Sequence, residues 1–268
     1  MSHGATAEAG RELRPAWRLL LERERRITTT ALVLVAVVAW LFIVAGAGMP
    51  DMGGMDPSMV MAPMPWQPSY AIAIFLMWWI MMAAMMLPSA APAILLYDLV
   101  ARKVEGSRGA TLLFASGYIL VWGVFSVLAA VTHWGLDQSG LLTMGMASAN
   151  YVLSGLVLIA AGLWQLTPIK HACLVRCQNP LYFLSHGWRR GRFGPLRMGV
   201  AHGLHCLGCC WVMMGLLFYG GVMNLAWVAG LAIYVLLEKS VPARRWLTNA
   251  IGSLLILAGV FSIVVAVV

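Results

Sequence analysis

Charge is what this chain has least of. Asp, Glu, Lys and Arg make up only 10% of its 268 residues, where a water-facing domain carries about a quarter. A soluble globular surface is thereby excluded. Acids are scarcer than bases, with 10 Asp and Glu against 18 Lys and Arg, and none of the bases falls in any segment read below as an outer loop. No phosphate-cradling loop or soluble phosphorylatable domain is present, which argues against ATP-driven pumping by this chain alone. No period of 20–50 residues recurs, so a solenoid is excluded, and no linker separates two domains. Cysteine numbers five, all between Cys173 and Cys210.

What is present in quantity is apolar length. The chain is 61% hydrophobic with a mean hydropathy of +0.83, and its apolar stretches of roughly 20 residues match a bilayer core of about 30 Å. Seven spans are read at 29–48, 70–97 with its core at 72–90, 111–133, 148–169, 196–219, 222–238 and 247–268. This predicts an all-α polytopic bundle: a basic leader, 1–28, followed by a single transmembrane helical domain, 29–268. All 18 Lys and Arg then lie on one side, among them Arg11 to Arg26, Arg102, Lys103 and Arg108, Lys170 to Arg197, and Lys239 to Arg245. The positive-inside rule makes that side cytoplasmic. The N-terminus is inside, the C-terminus is periplasmic, and the protein is a multi-pass resident of the bacterial inner membrane. The net charge of +8 belongs to this inner rim, suits an anionic leaflet and does not indicate nucleic acid. A cleaved signal ending near Ala45-Gly46-Ala47 is the alternative for the first span. The leader reads equally as an interfacial helix around Trp17 or as a disordered basic tail.

Sulfur is concentrated in three places. The outer loop 49–69 holds Met49, Met52, Met55, Met59, Met61 and Met64 among glycines and prolines. Thioethers in water are neutral, soft ligands suited to Cu(I); the plain alternative is a loop lying on lipid. The second span carries Met77, Trp78, Trp79, Met81, Met82, Met85 and Met86, then Pro88, which is expected to end or kink the helix. Helical spacing puts Met77, Met81 and Met85 on one face with Met82 and Met86 beside them. The fifth span has His202, His205, Cys206, Cys209, Cys210 and Met213 within 12 residues. His202, Cys206, Cys209 and Met213 share a face, and Cys210 stands one turn beyond Cys206. With a start near 196, Cys206 to Cys210 lie about 15–21 Å in, near mid-bilayer. Met81 and Met82 reach a similar depth from the other side, so the two sulfur surfaces are expected to face each other. Gly199, Gly203 and Gly208 let a neighbouring helix come close. Ionisable residues at this depth are functional by default.

A Zn²⁺ site built from two thiolates and two histidines would be neutral, so zinc stays open. Cu(I) also accounts for the thioethers, and is the preferred metal. The inner segment 170–195 offers a second candidate, Cys173 and Cys177 one turn apart, with His171 or His186 to complete it. Its alternative is an interfacial helix carrying Tyr182, Phe183 and Leu184. Glu238 and Lys239 read as a structural pair or as snorkelling residues, and His133 as an interfacial residue.

The combination Met77-Trp78-Trp79 with Met81 to Pro88, Trp164-Gln165 with Lys170, Cys173-Leu174, Cys177 and Pro180, and Gly203 with Cys206-Leu207-Gly208-Cys209-Cys210-Trp211 and Gly220 to Asn224 resembles a bacterial family described as predicted metal-binding integral membrane proteins. The resemblance covers about residues 70–245 and implies metal binding in a membrane, with no reaction attached. The outer loop and leader fall outside it. The reading is thus a soft-metal carrier, without assigned catalytic residues, in which outer methionines collect Cu(I), the mid-membrane sulfurs hold it, and Cys173 and Cys177 release it inside, for import or for delivery to a metal acceptor or larger complex. Two other classes fit the same residues: a membrane thiol-disulfide oxidoreductase using Cys206 and Cys209, and a non-catalytic assembly subunit.

Overall fold

A computed structural model describes residues 26–45, 66–104, 109–240 and 245–267. The described chain is helical: α1 (Arg26–Val44), then α2 (Pro68–Val104), α3 (Gly109–Gln138), α4 (Tyr151–Leu166), α5 (Pro168–Gln178), α6 (Pro180–Gly187), α7 (Gly194–Gly215), α8 (Leu217–Gly220), α9 (Leu225–Ser240) and α10 (Arg245–Val267). The basic leader and the methionine-rich stretch, with Met52, Met55 and Met59, lie outside the described residues.

The helices begin where the sequence can satisfy free N–H groups. The Asn150 side chain accepts from the N–H groups of Val152 and Leu153, Thr167 accepts from that of Lys170, and Pro168, Pro180 and Pro195 occupy first-turn positions that need no donor. Pro88 does not end α2, a helix of 37 residues that also runs on past Pro92. Close by, the Met86 carbonyl accepts from Ser89 Oγ at 2.8 Å and Tyr118 Oη at 3.1 Å, the kind of side-chain support that makes an interrupted helix tolerable away from water.

Five helices, α1, α2, α3, α7 with α8, and α10, are long and apolar enough to cross a membrane. A sixth crossing is available if α4 and α5, bent by 66°, count together. The segment read as the sixth of seven spans forms α9, whose 16 residues reach about 24 Å, less than the hydrocarbon core. Exposed apolar side chains line the outside, such as Leu112, Val124, Leu128 and Leu257.

The closest approach in the core is between α3 and α7. A Cβ on Gly199 would run into the Phe114 backbone, and one on Gly117 into the backbone of Leu196 and Val200. The helix that Gly199 and Gly203 admit is therefore α3, while α2 packs on α3 and α9. A similar glycine contact joins α4 to α10 through Gly162 and Gly252. Of the expected broad facing of the second and fifth spans, the structure shows contacts at Trp78, whose ring lies 5.0 Å from that of Phe218, and at Met86, described below.

Gly199→Ala should therefore destabilise the bundle by about 1–3 kcal/mol, the usual effect of overpacking. Gly135→Ala, where a Cβ meets nothing within 4 Å, should be neutral or slightly stabilising. Thermal unfolding in detergent would check the pair; equal losses would refute the close approach.

Candidate metal centre

The bend after Leu166 folds α5 back against α7. Cys177, near the end of α5, is thereby brought beside Cys206 and Cys209. Cys210 reaches the same two sulfurs, and the thiols of Cys209 and Cys210 each donate to the Cys206 carbonyl at 3.0 Å. Met86 closes one side, its Sδ 3.9 Å from Cys210 Sγ. Cys173 lies over Gly208, its Sγ 2.8 Å from where a Cβ there would stand. All five thiols are free. Cys206, Cys209 and Cys210 are buried, and Cys173 and Cys177 partly exposed. The inner pair read as a separate station is thus continuous with the central cluster.

Lys239 enters this cluster. Its buried Nζ is 2.8 Å from Cys206 Sγ, 3.2 Å from Ser89 Oγ and 3.7 Å from Met86 Sδ. Tyr118 Oη sits 3.0 Å from the same Cys206 sulfur. Neither group was singled out as a site residue from the sequence. A signal existed for the lysine: neighbours on a helix point about 100° apart, so Glu238 and Lys239 cannot serve one partner. Glu238 instead forms a buried ion pair with Lys170, and both residues are withdrawn from solvent rather than snorkelling. Tyr118 has no marker in the sequence.

The remaining candidates divide. His202 is buried one turn before Cys206 among the rings of Phe114, Tyr118 and Phe183, and its Nδ1 has no hydrogen-bond partner among the described residues. His205 is held elsewhere, with Nδ1 2.6 Å from the Ala201 carbonyl and Nε2 3.0 Å from the Arg176 guanidinium. Met213 Sδ accepts from Gln165 Nε2 at 3.3 Å. Met81 lines, with Met77, Ile43 and Val222, a separate cavity of about 180 Å³. Met82 and Met85 are fully buried in the core. Among the described residues no three His, Cys, Asp or Glu side chains already stand as a metal-holding set. The thiols of Cys209 and Cys210 are turned to the Cys206 carbonyl, and a metal would have to draw the sulfurs together.

Apolar helices of membrane-crossing length around a group of soft donors define a membrane-embedded metal-handling protein as the class these features suggest. The chain belongs to the PpoB2 copper chaperone family, whose model matches residues 75–262. No curated protein and no solved structure matches the chain. The matched region holds all five cysteines, Met86 and Lys239, and leaves out the methionine-rich stretch. Copper is therefore the metal attached to this family.

The Lys170–Glu238 pair carries a test. Gln165 also accepts from Lys170, and donates to Tyr234 Oη at 2.7 Å. Glu238→Gln should destabilise the fold by about 3–5 kcal/mol by leaving a buried ammonium uncompensated, whereas Lys170→Met with Glu238→Met together should recover most of that loss. Denaturation midpoints of the single and double variants would decide it, and additive losses would count against the pair.

Proposed function

We propose that this copper chaperone binds Cu(I) between α5 and α7, with Cys177, Cys206, Cys209 and Cys210 as the thiol donors and Met86 as a thioether beside them. The observation that carries the proposal is the group of buried thiols Cys206, Cys209 and Cys210 on α7, with Met86 Sδ 3.9 Å from Cys210 Sγ and with α5, which bears Cys177, packed against the same helix. Thiolate and thioether sulfur are the donors that select Cu(I). Four thiols for an ion satisfied by two or three leave a spare donor, so copper can pass from one ligand pair to the next without ever being bare. Cys206 and Cys210 lie at the buried end of that series and Cys177 at the partly exposed end, with Cys173 as the next thiol along.

Charge supports the same reading. Cu(I) held by two thiolates carries one net negative charge, and a charge at mid-membrane costs about 3 kcal/mol or more. The Lys239 ammonium against Cys206 offsets it. In the bacterial inner membrane, with the basic rim facing the cytoplasm, the direction is inward: the outer methionines collect the ion and Cys173 and Cys177 release it to an acceptor. His202 and Met213 border this path as reserve donors.

Anaerobic loading of the detergent-purified chain with Cu(I), followed by metal analysis, tests the proposal. One equivalent or more should be retained, and lost in the Cys206→Ala, Cys209→Ala, Cys210→Ala triple variant. Cys177→Ala and Lys239→Met should each weaken retention against a competing chelator by about tenfold, roughly 1.4 kcal/mol. Copper content unaltered in the triple variant would remove the centre, and zinc retained in preference to copper would reassign it.

A further inference from the structure

Two polar side chains near the far end of α3 are unaccounted for by the thiol centre. His133 and Asp137 are one helical turn apart and so share a face. The sequence suggested an interfacial histidine; instead both residues are buried, with 0% and 1% exposure. Trp66 covers them. Its Nε1 donates to Asp137 Oδ2 at 2.8 Å, and its ring lies 6.1 Å from the imidazole. Phe218 stands on another side of the imidazole at 6.4 Å, and Tyr70 packs edge-on against Trp66 at 5.1 Å.

Within this apolar cap, Nδ1 and Nε2 of His133 and Oδ1 of Asp137 have no hydrogen-bond partner among the described residues. Buried polar groups are normally paired, and each exception calls for an explanation. Three such atoms on two side chains at chelating spacing are explained together by one bound cation. A histidine ordinarily directs its second nitrogen to a carboxylate or carbonyl; here the carboxylate has a free oxygen one turn away, and the imidazole is held by ring packing alone.

We infer that His133 and Asp137 form a second metal site, for a divalent transition-metal ion, with Cu(II) the favoured occupant. Imidazole and carboxylate suit Cu(II), whereas the thiols and thioether of the first centre suit Cu(I), and Cu(II) heads the order of divalent affinities at such donors. The two centres are distinct in depth: His133 lies roughly 36 Å along α3 from its start, and Cys206 to Cys210 roughly 18–24 Å along α7. The site's existence rests on the unpartnered atoms; the choice of copper among divalent ions rests on the copper-handling reading. Trp66, which immediately follows the methionine-rich stretch in the chain, is the residue that closes over the site.

Electron paramagnetic resonance separates the two centres, because Cu(II) is visible and Cu(I) silent. The full-length protein would be titrated with Cu(II) in two preparations, one preloaded with Cu(I) and one with its thiols alkylated, so that the thiols cannot reduce the probe. The expected result in both is about one equivalent of Cu(II) with nitrogen hyperfine coupling. His133→Phe should abolish that signal, and Asp137→Asn should weaken binding by at least about tenfold, the loss that even outer-shell changes produce at metal sites. Retained Cu(I) loading serves as the folding control, with His133→Gln as the substitute if the phenylalanine variant does not fold. An unchanged spectrum and affinity in these variants, coupling that persists from another histidine, or no bound Cu(II) in the native chain would each overturn the site and leave a structural pair. Loss of Cu(I) retention with the Cu(II) signal intact would instead count against the thiol centre alone.

Discussion

The buried Lys170–Glu238 ion pair is the constraint on which the rest of the arrangement depends. Away from water, neither charge is tolerable without the other, and Gln165, Tyr234 and the Gln178 side chain, which donates to the Glu238 carbonyl at 2.8 Å, surround the pair. The pair sits at the elbow between α4 and α5 and ties it to α9. On one side of the elbow, α5 is committed to lie back on α7, and Cys177 is delivered to Cys206 and Cys209. On the other, the register of α9 is pinned with residue 238 facing α5. Residue 239 must then face elsewhere, and in this bundle the direction it takes leads to the thiols. One ion pair thus sets two of the surroundings of the proposed metal centre, from two different helices.

Much of the fold was legible because lipid and water impose a coarse, one-dimensional code. Long apolar runs gave the helices, and the all-α bundle follows from them. The count of crossings was harder. Nothing in the composition of 148–178 announces a 66° turn, since Thr167 and Pro168 are good helix starters whose effect depends on where Lys170 finds a partner. The stretch 222–238 is apolar enough for a span, yet its ordered helix starts only at Leu225, after a turn at Gly221 with φ +87°.

The candidate site divides along the same line. Periodicity within α7 grouped Cys206, Cys209 and Cys210, and the three are buried together, because one helix fixes its own faces. It could not rank Met81, Met82, Met85 and Met86, which all lie on a broad surface; the rotation of α2 against α3 and α9 turns Met86 to Cys210 and Met81 toward the cavity beside Ile43. His205 shares the α7 segment but is captured by Arg176 of α5, a contact created by the same bend that brought Cys177 in. Long-range rotation and bending, rather than local spacing, decide which of these side chains lie beside the α7 cysteines.

The place of a lysine in the proposed copper centre follows from the balance of charge rather than from affinity. Two thiolates and Cu(I) sum to one negative charge, and the ammonium of Lys239 brings the group to neutrality in a region where net charge is costly. Zn²⁺ would require three thiolates for the same balance, so charge by itself does not choose the metal. The thioether supports Cu(I) in the proposed centre, because Met86 faces both Cys210 and Lys239 and thioether sulfur favours Cu(I). A neutral loaded centre has a further consequence for a chaperone. Release of Cu(I) has to be matched by one proton, and a competing thiol supplies it as it takes the ion, so that one thiolate is reprotonated and the site with Lys239 stays neutral. Tight burial and ready transfer, which would oppose each other at a charged centre, become compatible at this one.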